Sequence, residues 1–263
     1  MEKRMLTPQE IAHAVSDSGS AKAKLSILQM FVLGIFAGVF IGFGAQGAII
    51  IGQSLTKLDP GMQKFAFAGV FPIGLMLVTI CGAELFTGNN LMTLGCFNCK
   101  FKWSDIIRNW FYVYTANFIG SVILAFFVAN SGLMAAGTPA ADLAVGIAAK
   151  KVEIALGAAI IRGILCNMLV VLAIWMATGA RDVIGKIFAI WFPIMLFVLS
   201  GYEHSVANMY YLPLGKFLGA PITWEQIWMN NLLPVTLGNI IGGALIVPLF
   251  YYVAYMKTPA SAE

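Results

Sequence analysis

Residues 28–53 read LQMFVLGIFAGVFIGFGAQGAIIIGQ, a run without a single charged side chain. About 20 apolar residues carry a helix across the hydrocarbon layer of a bilayer, and this run exceeds that length. A helix apolar on every side lies in the core of a large protein or spans a membrane. Five further stretches are long and predominantly apolar, near residues 65–93, 106–130, 153–178, 185–214 and 227–256. Hydrophobic residues make up 60% of the chain and charged ones 11%, against roughly 25% charged in soluble domains, so the bilayer is its solvent. The expected fold class is an all-α membrane protein with six transmembrane helices.

The first 24 residues contain Lys3, Arg4, Lys22 and Lys24 among polar neighbours, which is no pattern for a cleavable leader, so the first span is expected to direct insertion. An even number of spans returns the chain to its starting side. On that side fall Lys3, Arg4, Lys22, Lys24, Lys100, Lys102, Arg108, Arg181, Lys186 and Lys257, and opposite them Lys57, Lys64, Lys150, Lys151 and Lys216. The positive-inside rule then places both termini in the cytoplasm of a multi-pass cell-membrane protein. The net charge of +4 follows from this asymmetry, and without a clustered basic face nothing points to nucleic acid.

The expected organisation is a cytoplasmic segment over 1–26, one transmembrane domain over 27–256 and a cytoplasmic tail over 257–263. Thr7, with Glu10 three places on and Ile11, Ala12 and Val15 following, predicts a short surface helix. His13 on it reads as a solvated side chain. Cys81 and Cys166 lie inside spans, and Cys96 with Cys99 forms one CxxC without the further ligands zinc requires. No metal site and no cofactor is expected.

The chain repeats itself. FPIGLMLVTICGAELFTGNN from Phe71 matches FPIMLFVLSGYEHSVANM from Phe192: both open Phe-Pro-Ile-x-Leu and both reach Gly-x-Glu-x-x-x-x-Asn, through Gly82, Glu84 and Asn89 and through Gly201, Glu203 and Asn208. Further on, Asn117 and Gly120 align with Asn239 and Gly242. Each unit, 27–135 and 150–256, holds three spans, so the second copy crosses the membrane upside down: an inverted 3+3 repeat. Such repeats put interrupted helices at the midplane, and irregular backbone there survives only around an enclosed cavity. Helices two and five are therefore expected to break beside Glu84, Thr87 and Asn89 and beside Glu203, His204 and Asn208, around a pore. Asn89 and Asn208 can cap the half-helices. Glu84 and Glu203, together with these asparagines, read as supports that tie up loop amides.

The segments GAELFTGNN, RGILCNMLVVLAIWMA, SGYEHSVANM and NNLLPVTLGNIIGG, on six spans along nearly the whole chain, resemble the signature segments of the formate–nitrite transporter family. The resemblance implies an aquaporin-like fold and a homopentamer in which each protomer has its own pore for small monovalent anions such as formate, nitrite or hydrosulfide. It assigns the central pore histidine to His204, with Thr87 facing it, Asn167 beside it, and Lys151 drawing anions to the outer mouth. It also puts Phe71, Leu75, Leu85 and Phe197 on the positions that form two apolar constrictions.

A narrow apolar slit costs a bare anion far more than its neutral conjugate acid. Histidine, whose unperturbed pKa lies nearest neutrality, suits proton exchange with such a solute. The expected function is a channel for weak-acid anions, formate first, with lipid, protons and further copies of the chain as partners. Basic Arg162 and the short connection LGKFLGAPITW keep nitrite and hydrosulfide open. A proton-coupled symporter would use the same histidine, while a channel for water or small neutral solutes would not need His204 and Lys151. No nucleophile with a base and no phosphate-binding glycine loop suggests an enzyme.

Overall fold

A computed structural model describes residues 5–257. Lys3, Arg4 and the tail from 258 onward lie outside the described residues. Helix α1, Pro8–Ala23, starts at Thr7: the Glu10 amide donates to Thr7 Oγ1, and Glu10 Oε2 accepts from the Thr7 amide at 2.7 Å. Its apolar face of Ile11, Ala12 and Val15 is buried against Leu91, Leu94, Val171, Trp175 and Val247. His13 is exposed.

The remaining elements are α2 (Ile27–Gly52), α3 (Pro60–Gly82), α4 (residues 86–97), α5 (Trp103–Asn130), α6 (Pro139–Val152), α7 (Leu156–Gly179), α8 (Val183–Leu199), α9 (Ser205–Phe217) and α10 (Trp224–Tyr255). Among the described residues, α2, α3, α5, α7 and α10 are each long and apolar enough to cross a membrane. Helix α8 is apolar but only 17 residues long. Helix α4 is built of short α and 3-10 turns, and α10 contains two π segments, Ile227–Leu232 and Ile241–Ile246.

Two boundaries differ from a hydropathy reading. The stretch expected over 65–93 starts at Pro60, behind an Asp59 cap, and stops at Gly82. The one expected over 185–214 stops at Leu199, and helix resumes at Ser205. Gly82 has φ +85 and Gly201 φ +74, a conformation that a helix cannot contain and that side-chain hydropathy does not encode.

Close helix crossings set the rest. An added Cβ at Gly120 would stand 2.1 Å from Ile35 O, and one at Gly242 2.2 Å from Ile164 O. Thus α2 meets α5, and α7 meets α10, backbone against backbone, as small residues allow between helices in lipid. Phe36, Phe111, Phe127, Phe188, Phe192 and Phe250 face outward and are exposed, an apolar coat that water alone would not tolerate. The largest buried cluster lies inside this coat and contains Phe71, Leu75, Leu85 and Phe197.

Candidate functional site

The polar residues converge where the two non-helical stretches meet. After α3, Ala83 and Leu85 run extended, and α4 starts at Phe86. Its Thr87 is fully buried, and its Oγ1 lies 2.8 Å from His204 Nε2. His204 is the N-cap of α9, where its Nδ1 accepts the Ala207 amide at 3.0 Å. Nδ1 therefore carries no proton. The neutral ring holds its proton on Nε2, which donates to Thr87 Oγ1.

A matching set of hydrogen bonds holds each stretch. In the first, the Glu84 amide donates to Leu33 O at 3.2 Å. Asn117 Oδ1 accepts the Phe86 amide at 2.9 Å, while Asn117 Nδ2 donates to Gly34 O and Glu84 O at 2.8 and 2.9 Å. In the second, the Glu203 amide donates to Arg162 O at 3.3 Å. Asn239 Oδ1 accepts the Ser205 amide at 2.9 Å, and its Nδ2 donates to Gly163 O and Glu203 O at 2.8 and 3.0 Å. Buried backbone groups without helical partners are thereby satisfied.

The glutamate side chains do something else. Glu84 accepts from Lys22 Nζ at 2.5 Å and from Asn89 Nδ2 at 2.7 Å, and Asn89 Nδ2 also donates to Asn109 Oδ1 at 2.8 Å. Glu203 takes Lys151 Nζ on both oxygens at 2.8 Å and Asn208 Nδ2 at 2.6 Å, and Asn208 Nδ2 also donates to Asn231 Oδ1 at 2.7 Å. The carboxylates thus anchor lysines and asparagines, whereas the loop amides are taken by Asn117 and Asn239. Asn89 and Asn208 sit inside their helices, and the cap of α9 is His204.

Two cavities come close to the Thr87–His204 contact and share no lining residue: His204 lines one, and Leu85 and Gly88, which bracket Thr87 in sequence, line the other. One, of about 180 Å³, is lined by Lys151, Glu203, His204, Tyr211, Phe71 and Phe197 among others. The rings of Phe71 and Phe197 meet edge to face with centroids 5.7 Å apart, and Phe197 lies over the His204 ring at 5.8 Å. The other, of about 530 Å³, is lined by Lys22, Glu84, Leu85 and Asn89. Leu75 is 2% exposed and lines neither cavity. Asn167 is fully buried and donates from Nδ2 to Thr87 O at 3.3 Å, Asn90 Oδ1 at 2.9 Å and Asn239 O at 2.8 Å. It locks α7 to the starts of α4 and to α10.

The structure thus brings together Thr87, His204, Asn167, Phe71, Phe197, Lys151 and Glu203, and sets Leu85, Glu84 and Asn89 at the other cavity. Sequence reasoning gave no role to Lys22, Asn109, Asn117, Asn231 or Asn239. The aligned pair Asn117 and Asn239 was the available signal. Nothing local marks Lys22, which reaches Glu84 across 62 positions of sequence. The Arg162 side chain is exposed, and its carbonyl is what serves the site.

A family profile described as formate/nitrite transporter matches residues 9–253. A protein of Methanothermobacter thermautotrophicus named "Probable formate transporter" is 42% identical over 268 aligned residues, which cover 95% of this chain and 97% of that one. A solved structure described as an FNT family ion channel superposes with a TM-score of 0.86 at 31% identity, over 93% of this chain and 98% of that one. Another, a pentameric formate channel with formate bound, gives 0.79 at 32% identity, over 88% and 98%.

Proposed function

Because the chain belongs to the formate/nitrite transporter family, we propose that it is a channel passing small monovalent weak-acid anions, formate first, across the cell membrane. Transport, not catalysis, is the work of this family, and the chain is a multi-pass membrane protein. A relative named as a formate transporter and a neighbour described with formate bound support the substrate. The pentameric neighbour supports a homopentamer, in which this reading gives each protomer its own pore.

The observation that carries the reading is the Thr87–His204 contact of 2.8 Å, which joins the two non-helical stretches between two separate cavities. The recurrence of one hydrogen-bond set around Glu84 and Glu203 supports an inverted 3+3 repeat with helices two and five broken near the midplane. The distribution of basic residues supports cytoplasmic termini, which puts the Lys22 cavity inside and the Lys151 cavity outside.

In this reading Lys151 and Lys22 each mark a mouth. Each is bound to a glutamate, so the mouths are close to neutral and offer a spare Nζ–H donor instead of a free charge. Phe71 and Phe197 narrow the path on the Lys151 side of His204, and Leu85 narrows it on the other. Both slits are apolar, so a bare anion pays heavily there and its conjugate acid far less. His204 offers the solute its Nε2–H in place of Thr87. Passing a proton onward requires the imidazolium, and charging Nδ1 breaks the bond to the Ala207 amide. An approaching anion offsets that loss by favouring the charged ring. Asn167 keeps Thr87 in position. Nitrite and hydrosulfide, equally small and singly charged, belong to the same solute class.

His204→Phe tests the reading. Formate uptake into liposomes is expected to lose its pH dependence and most of its rate. An unchanged flux with an unchanged pH profile overturns the role of the histidine.

A further inference from the structure

Among the buried polar atoms without a partner, two belong to residues that line the same cavity as His204. Asn208 uses its Nδ2 on Glu203 Oε2 and Asn231 Oδ1, at 2.6 and 2.7 Å. Both partners are acceptors, so the carboxamide cannot be turned round, and its Oδ1 is buried with no partner. The Tyr211 hydroxyl is likewise buried and unpartnered. Its neighbour Tyr210 shows the contrast, since that hydroxyl donates to Gln46 Oε1 at 2.8 Å. Native structures seldom leave such groups alone, and each exception asks for a missing partner.

Asn208 and Tyr211 stand three positions apart on α9, which puts them on one helix face. Both line the 180 Å³ cavity, whose other walls include Phe67, Phe71, Ile147 and Phe197. The Tyr211 ring is held by stacking on Phe67 at 6.2 Å and by Lys151 Nζ 5.7 Å from its centre. The charged side chains that line it among the described residues, Lys151 and Glu203, pair with each other through two 2.8 Å contacts.

We propose that the Tyr211 hydroxyl and the Asn208 carboxamide oxygen form a docking site for the undissociated carboxyl group of the solute, next to His204. The proposal rests on the weak-acid channel reading. The carbonyl of the acid accepts from Tyr211, and its hydroxyl donates to Asn208 Oδ1. A carboxylate satisfies only the first atom and sets its lone pairs against the second. The apolar walls cost a neutral acid far less than an anion, and the paired Lys151 and Glu203 leave little net charge to offset that difference. Oxyacids with a carbonyl-like acceptor fit this pair, whereas hydrogen sulfide, a weak donor and weak acceptor, does not.

Formamide tests it, being a neutral isostere of formic acid with one acceptor and a donor that cannot dissociate. In proteoliposomes of the whole chain, formamide is expected to inhibit formate uptake. Tyr211→Phe, which keeps the ring, should need about fivefold more formamide for half-inhibition, the loss expected for one neutral hydrogen bond. Tyr210→Phe removes a hydroxyl that is already paired and should match the unaltered chain. Absence of inhibition, or equal inhibition of Tyr211→Phe, overturns the site while leaving the channel reading intact. A chain that takes up no formate at all overturns both. Should Tyr211→Phe fail to assemble, 3-fluorotyrosine at position 211 keeps the hydroxyl: its fluorine resonance is expected to shift saturably with formamide, and no shift overturns the proposal.

Discussion

His204 holds its ring by one nitrogen and offers the other. The Ala207 amide occupies Nδ1 at 3.0 Å, so cap and proton donor are the same side chain, and the tautomer is set by backbone geometry. Glutamine at this position would keep a donor and lose the titration, which separates the two roles. The asparagines behind it show how much one side chain can support. Asn239 satisfies the Ser205 amide and two carbonyls, all buried. Asn239→Ala leaves them unpaired and is expected to cost about 2 kcal/mol, read as a lower unfolding midpoint in detergent. A melt within experimental error of the parent would show that water replaces the carboxamide at no cost. The alignment of Asn117 with Asn239 was legible in the sequence, but their partners were not, because a carboxamide's bonds depend on which backbone groups a neighbouring helix leaves open.

Helix α9 is the element that decides the site, since it carries His204 as its cap and Asn208 and Tyr211 on one face. What precedes it is a turn that requires Gly201 at φ +74. Gly201→Val forces a β-branched residue into that conformation at a cost of about 2 kcal/mol. No heavy atom lies within 4 Å of an added Cβ there, and because Gly201 also lines the His204 cavity, the melting midpoint is the reading that reports the backbone strain. The expected result is loss of formate flux along with a lower melting midpoint, and full flux would show that α9 does not depend on this turn. At this scale hydropathy misleads in a specific way. Residues 185–214 read as one apolar stretch, yet α8 ends at Leu199 because Gly201 turns the chain away from the helix. Helix α1 is the converse case: its cap and apolar face were legible, but nothing in its own residues announces that Lys22 will reach Glu84.

The whole molecule poses the question of sidedness. With cytoplasmic termini, Cys99, which is exposed after α4, faces the cell interior. In a Cys81→Ser background, a membrane-impermeant maleimide is expected to label Cys99 in inside-out vesicles and not in intact cells. Labelling from outside would invert the topology and exchange the two mouths. The sequence by itself determined the solvent, the helical class, the family and the internal echo between its halves, since each is a sum over neighbouring side chains or a direct match of letters. It did not determine which lysine serves which glutamate, which asparagine closes which loop, or that Thr87 meets His204. Those contacts join residues as far apart as 117 positions. Only the tertiary structure decided them, because they depend on two glycines held at positive φ and on helices close enough to share backbone carbonyls.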